Sequence, residues 1–229
     1  MRPVVLTDIE GTISDIDFVR NVLFPYARDA IPGFIAEHGN EPGVAAQIAA
    51  AAAEAGLDPA DRRAVVAQLL AWIEEDVKAT PLKALQGMVW RAGYESGAFT
   101  AHLYDDAHRW LAKSREEGVP LYVYSSGSVE AQELYFAHTT FGDLLHWFEG
   151  FFDTRTGHKR EADSYRRIAA SIGVPAASIV FFSDVLAELD AAAEAGMQTF
   201  LLDRAGTLGN ETGHPRHATF DTIDLESHA

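Results

Sequence analysis

Hydrophobic positions along this chain fall into two kinds of pattern. The first is a short, uninterrupted apolar run closed by turn residues. Val4, Val5 and Leu6 follow Pro3 and give way to a polar cluster, the pattern of a strand buried on both faces of a sheet. Similar runs recur at 120–124, 178–182 and 197–202, with shorter candidates at 148–152 and 217–220. Between them the spacing turns helical: 105–117 closing at Gly118, 129 to about 140, 165–172, and a segment through Ala193 closing at Gly196. Strand and helix alternating over short connections predict an α/β fold with a parallel, three-layer core. The stretch 206–216 reads as loop.

The second pattern fills residues 15 to about 113, which show helical periodicity and no convincing strand. That is far too long for a simple connection between two strands, so it predicts an inserted all-helical subdomain. Phe18, Val22 and Leu23, then Ile31, Phe34 and Ile35, recur at helical spacing, with Pro25 and Pro32 expected to limit the helices. The alanine-rich run 44–55 is helical if ordered, and Val65, Leu69, Trp72 and Ile73 mark a further stripe. Thr80-Pro81 reads as a helix start with a capping hydroxyl, and Gly93 as a stop. The expected division is a core of residues 1–14 and 105–229 with a helical insertion of 15–104.

Composition narrows what such a fold can do. The 229 residues carry a formal net charge of -16, which argues against nucleic acid or an anionic membrane surface as partner. With no cysteine, thiolate nucleophiles, zinc-thiolate sites and disulfides are excluded. No apolar run approaches the roughly 20 residues of a membrane span, and the start at Met1-Arg2-Pro3 lacks a signal-peptide pattern. A cytoplasmic protein is the expectation.

The carboxyl ends of the predicted strands hold the candidate chemistry, because ligands of open α/β sheets bind there. The first strand delivers Asp8 and Glu10, the second Ser125 and Ser126, and a later one Asp184, while Lys159 lies in a polar loop. Carboxylates with a loop carbonyl form a hard, oxygen-only site suited to Mg²⁺. Hydroxyls and amides at Ser125-Ser126-Gly127 suit phosphate oxygens, and a lysine adds a point charge. Asp8 in such a setting can attack phosphorus and form an acyl phosphate. Each residue also has a structural reading: Asp8, Ser125, Ser126 and Asp184 as caps, Lys159 as a solvated charge, Glu188 as a first-turn carboxylate favoured by the helix dipole, and Trp90 and Tyr94 as helical core.

Order and spacing together resemble a known family. Asp8-Ile9-Glu10-Gly11-Thr12, then Ser125, Lys159, and Ser183-Asp184 with Glu188, resemble the four motifs of the haloacid dehalogenase (HAD) superfamily. Thr80-Pro81-Leu82-Lys83-Ala84-Leu85-Gln86-Gly87, Trp90 with Gly93-Tyr94, and Tyr124-Ser125-Ser126-Gly127-Ser128-Val129-Glu130 resemble more closely the enolase-phosphatases, also called acireductone synthases, of methionine salvage.

The resemblance implies a HAD-like Rossmannoid core with a helical cap and one Mg²⁺ per subunit, in a monomer. It implies two steps on 2,3-diketo-5-methylthiopentyl-1-phosphate: enolisation, then phosphate removal to the acireductone. In it, Asp8 and Asp184 are carboxylate ligands of Mg²⁺, with Asp8 also the nucleophile. Glu10 gives its backbone carbonyl, Ser125 and Ser126 bind phosphate, and Lys159 neutralises charge. Glu10 stands where most HAD phosphatases have aspartate and the enolase-phosphatases have glutamate, and it is assigned proton transfer in at least one step. Two alternatives remain: another Mg²⁺-dependent HAD phosphatase, or a non-catalytic phosphate sensor.

Overall fold

The computed structural model describes residues 3–208 and 213–224. Met1, Arg2 and part of the expected loop near 206–216 lie outside the described residues. In chain order the elements are β1 (Val4–Thr7), α1 (Ile16–Phe18), a π-helical turn (Val19–Leu23), α2 (Phe24–His38), α3 (Pro42–Ala55), α4 (Arg62–Glu74) and α5 (Thr80–Glu95). They continue with α6 (Asp105–Glu116), β2 (Leu121–Tyr124), α7 (Val129–Ala137), β3 (Phe148–Phe152), α8 (Ala162–Ile172), β4 (Ile179–Ser183), α9 (Leu186–Glu194), β5 (Gln198–Leu202) and β6 (Arg216–His217).

The chain divides into two compact units, Met1–Ile16 with Ala101–Ala229, and Asp17–Thr100. Residues 15, 16 and 101–104, expected in the insertion, belong with the core because they bond to it. The Asp15 N–H donates to His102 Nδ1, Ala101 pairs with Thr139, and the Tyr104 N–H donates to the Ile13 carbonyl.

The first unit is built on a six-stranded sheet in the order β3-β2-β1-β4-β5-β6, with every pairing parallel. Period-two alternation then assigns side chains to faces. Val4, Leu6, Tyr124, Ile179, Phe181 and Leu201 form one buried cluster with Tyr165 and Ile168 of α8 and Leu189 of α9. The residues between them, such as Val5, Val180 and Phe182, are buried too, and Phe182 meets Trp110 of α6 edge-on at 5.1 Å. Helices on both faces of a parallel sheet explain why these strands read as continuous apolar runs. The last strand is displaced from its expected place at 217–220: Phe220–Thr222 is a 3₁₀ turn, and the buried Phe220 ring packs beside Phe182. Likewise α7 stops at Ala137 rather than near Thr140, which instead pairs through its N–H with the Ala101 carbonyl.

The second unit is helical. Its apolar stripes converge into one cluster including Ile31, Ile35, Ile48, Leu69, Trp72, Leu82, Leu85 and Val89, each full burial stabilising by about 1.5–3 kcal/mol. Four expectations change here. Pro32 lies inside α2 rather than at its end; it is exposed, so the carbonyl it leaves free can bond water, while Ile31 and Ile35 anchor the helix on either side. Pro25 sits in the first turn of α2, and the widened π-turn of Val19–Leu23 carries the helix into it without a break. Thr80 makes no side-chain cap, and α5 runs past Gly93 to Glu95. A Cβ at Gly93 would stand 2.5 Å from Phe99 Cε1 and 2.8 Å from Tyr26 Cε1, so glycine is there to let rings pack on the helix backbone.

Candidate active site

The sheet's ladder fixes Asp8. Its N–H donates to the Phe182 carbonyl at 2.9 Å, one position beyond the end of β1, and the residue is 3% exposed. The chain then turns sharply, with the N–H groups of Ile13 and Ser14 returning to the Ile9 carbonyl. Gly11 adopts φ 78° in this turn, the left-handed region where glycine carries no Cβ penalty.

Lys159 arrives from the loop after β3. Its segment is held by the Tyr124 hydroxyl donating to the Gly157 carbonyl at 2.9 Å and the Tyr165 hydroxyl to the Lys159 carbonyl at 2.7 Å. Its Nζ lies 2.6 Å from Asp8 Oδ1 and 2.7 Å from Glu188 Oε2, with the side chain 11% exposed. Burial by itself would depress the ammonium's pKa; the charges of Asp8 and Glu188 outweigh it and hold the group above its ordinary value. The solvated-charge reading of Lys159 therefore fails. Glu188, assigned no contact from sequence, is the lysine's second anchor, and the Ser183 hydroxyl donates to its Oε2 at 3.0 Å. The available signal was its position in the first turn after a strand bearing Ser183-Asp184, facing back toward the strand end.

Glu10 and Ser125 also meet, the Ser125 hydroxyl donating to Glu10 Oε2 at 3.3 Å. Burial first, and the charge of Asp8 second, raise the Glu10 carboxyl above its ordinary range. Asp184 closes the cluster: a Cβ on Gly11 would lie 2.1 Å from Asp184 Oδ2, so the carboxylate occupies the space that a side chain at Gly11 would fill. Thr12, the last residue of the Asp8-to-Thr12 motif and assigned no role from sequence, accepts the Asp184 N–H on its hydroxyl at 3.1 Å. Burial and then repulsion from Asp8 push the Asp184 carboxyl up to about 7.

The capping alternatives are resolved by the same geometry. The cap of α7 is Ser128, whose hydroxyl accepts from the Ala131 N–H, while the Ser125 hydroxyl accepts from Gly127 N–H. Helix α9 has Val185 at its N-cap and no side-chain cap, so Asp184 does not serve as one. Ser126 is exposed, and its side chain makes no hydrogen bond among the described residues. The Ser125-Ser126-Gly127 turn is instead held by Gln132, whose Nε2 donates to the Gly127 and Phe152 carbonyls at 2.8 and 2.9 Å.

Asp8, Glu10, Asp184 and Glu188 thus crowd around one ammonium. Asp184 Oδ1 is buried without a hydrogen-bond partner, an arrangement that costs free energy unless a cation faces it. Among the described residues no three His, Asp or Glu side chains form a metal cage. Two carboxylates completed by a carbonyl, water and a ligand's oxygens are, however, how Mg²⁺ is commonly held. The donor set fits a hard divalent cation.

Residues 3–196 match the model of the haloacid dehalogenase-like hydrolases. The chain is 54% identical over 222 residues to Enolase-phosphatase E1 of Pseudomonas aeruginosa, covering 97% of this chain and 98% of that one. It is 53% identical over 223 residues to the protein of that name in Alcanivorax borkumensis, covering 96% and 97%. Among solved structures, the UTR4 protein of Saccharomyces cerevisiae superposes with a TM-score of 0.83 at 34% identity, over 97% of this chain and 100% of that one. With its parallel sheet, its helical insertion and its strand-end carboxylates in this order, the chain belongs to the enolase-phosphatase family of the haloacid dehalogenase-like hydrolases.

Proposed function

We propose that this enzyme converts 2,3-diketo-5-methylthiopentyl-1-phosphate into the acireductone 1,2-dihydroxy-3-keto-5-methylthiopentene and phosphate, in methionine salvage. The observation that carries the reading is the pairing of two distinct devices at one strand end. Asp8 is locked to Lys159 at 2.6 Å, and beside it Glu10, not aspartate, bonds Ser125 at 3.3 Å.

Enolisation requires a proton to leave the carbon that bears the phosphate ester and another to reach the adjacent carbonyl oxygen. A carboxyl whose pKa is raised toward the working pH exchanges protons best, and Glu10 is raised by burial and by Asp8. Dephosphorylation requires a nucleophile aligned with phosphorus. Lys159 fixes one oxygen of Asp8, leaving Oδ2 to attack phosphorus as the ester P–O bond breaks and the substrate departs as its enediolate; water then hydrolyses the acyl phosphate, releasing phosphate and restoring Asp8. Lys159 also offsets the negative charge that would otherwise repel a phosphate dianion, and the Ser125 hydroxyl, whose single proton turns from Glu10 when substrate enters, donates to a phosphate oxygen. Asp8, Asp184 and the Glu10 carbonyl are the groups that would hold Mg²⁺. When bound, the ion supplies Lewis-acid charge that favours both enolate and phosphoryl chemistry. No helix among the described residues is long and apolar enough to cross a membrane; a cytoplasmic location is part of the proposal.

The test is to supply the purified enzyme with the diketo phosphate and Mg²⁺, following ultraviolet absorbance of the enol products together with free phosphate. Both signals are expected, enol first. Phosphate release without an enol or acireductone signal would reduce the protein to an ordinary phosphatase of the superfamily. Glu10→Gln should slow at least one of the two signals; wild-type rates in both would remove its side chain from the chemistry.

A further inference from the structure

Arg204 stands just past the end of β5, outside the motifs considered above. Its Nε donates to the Thr12 carbonyl at 2.7 Å, and its Nη1 pairs with Asp106 at 3.1 Å. The guanidinium carbon lies 3.9 Å from the centre of the Tyr104 ring. Asp106 is itself held in place, its Oδ2 also accepting the Phe220 N–H at 2.8 Å. A planar fork clamped by a carboxylate and stacked on an aromatic ring has little freedom left, so the carbonyl it grips is fixed in turn.

That carbonyl belongs to the residue whose side chain sets Asp184. Thr12 is fully buried, at 0% exposure, and its hydroxyl accepts the Asp184 N–H at 3.1 Å. The same turn includes Gly11, whose backbone abuts the Asp184 carboxylate. Meanwhile Nη2 of Arg204 is buried with no hydrogen-bond partner among the described residues. A buried guanidinium with an unsatisfied donor is a poor stabilising device, which favours a role in geometry over one in stability.

We propose that Arg204 is a positioning residue for the cation site: through Thr12 it sets the separation of the Asp8 turn and Asp184. The proposal rests on the reading of Asp8 and Asp184 as Mg²⁺ ligands. Outer partners of metal ligands, when removed, commonly cost about 10- to 100-fold in affinity.

The experiment is calorimetric titration of the whole chain with Mg²⁺ alone, without substrate, for wild type, Arg204→Met, Thr12→Val and the double variant. Far-ultraviolet circular dichroism confirms that each is folded. Arg204→Lys, which keeps a cation over Tyr104 but lacks the fork, replaces Arg204→Met if that variant does not fold. Wild type is expected to bind, each single variant to bind about tenfold more weakly, and the double variant to be no weaker than the worse single, because both act through one link. Wild-type affinity in the Arg204 variant, or losses that multiply in the double variant, would overturn the proposal. Absence of Mg²⁺ binding by wild type would instead overturn the metal-site reading on which it rests.

Discussion

In the helical unit the buried side chains are apolar, from Ala27 and Ile31 through Leu85 and Val89, and among the described residues Gln86 is the one polar side chain buried with them. In the sheet unit Asp8, Asp106, Asp153, Glu188 and Asp203 are buried as well. The helical unit is held chiefly by apolar transfer, which tolerates changes that keep volume and patterning. The sheet unit keeps several carboxylates out of water, each stable only through a particular partner. Asp153 illustrates this: burial opposes its ionisation, but bonds from Arg155 and the Val129 N–H reverse the balance and lower its pKa. Glu10 and Asp184, with fewer donors and a charged neighbour, stay raised. Substitutions in the two units should therefore fail in different ways.

The largest effect is expected from Lys159→Met. It leaves Asp8 and Glu188 buried without their shared cation, an uncompensated charge costing about 3–5 kcal/mol. Glu188 already has a raised pKa, chiefly from burial and then from Asp8, and losing the lysine raises it further. A raised carboxyl lends stability that is complete below its unfolded pKa and lost as pH rises through its folded pKa, so the deficit should grow with pH. Thermal melting across acid and neutral pH, with turnover measured alongside, checks this. A variant as stable as wild type at neutral pH would show that the carboxylates are not desolvated as described.

Next comes Leu85→Ala, in the fully buried centre of the helical cluster. The cavity should cost about 2–5 kcal/mol in unfolding free energy. Mg²⁺ affinity, measured where the chain is still folded, should not move. A matching loss of Mg²⁺ affinity would break the comparison, by showing that helical packing and the cation site are energetically one.

The smallest effect is the pH dependence of Mg²⁺ binding. Without a cation the folded chain keeps a proton on Asp184 up to about 7, and the unfolded chain releases it in the ordinary carboxylate range. The stability from that proton is lost as pH rises through about 7. A cation binding there displaces it, so affinity should fall about tenfold for each pH unit below that point. Titrations in a series of buffers from mildly acid to mildly alkaline check the slope; a flat profile would remove Asp184 from the site.

Much of this was legible in the residues. Unbroken runs such as Val4-Val5-Leu6 and 178–182 identify strands buried on both faces, because a strand with one solvated face would have to alternate. The long helical stretch after Asp15 identifies an insertion, because no crossover needs that length. Asp8, Glu10, Ser125, Lys159 and Asp184 are recognisable from strand ends and motif order. Helix limits were less legible: Pro32 and Gly93 are local breakers by propensity, yet buried neighbours carry α2 and α5 through them. Ser126 shows the converse, being adjacent in sequence to Ser125 but exposed.

The sequence by itself determined the class of fold, the hard-oxygen chemistry and the candidate carboxylates, since these follow from periodicity and residue type. Tertiary structure alone decided which carboxylate each cation meets. Glu188 joins Lys159, Thr12 takes the Asp184 N–H, and Arg204 grips Thr12, across separations in the chain of 29, 172 and 192 residues. Such contacts depend on where strand ends come to lie side by side, which local pattern does not encode. The Glu10 carboxylate gained its raised pKa in the same way, from burial and from Asp8.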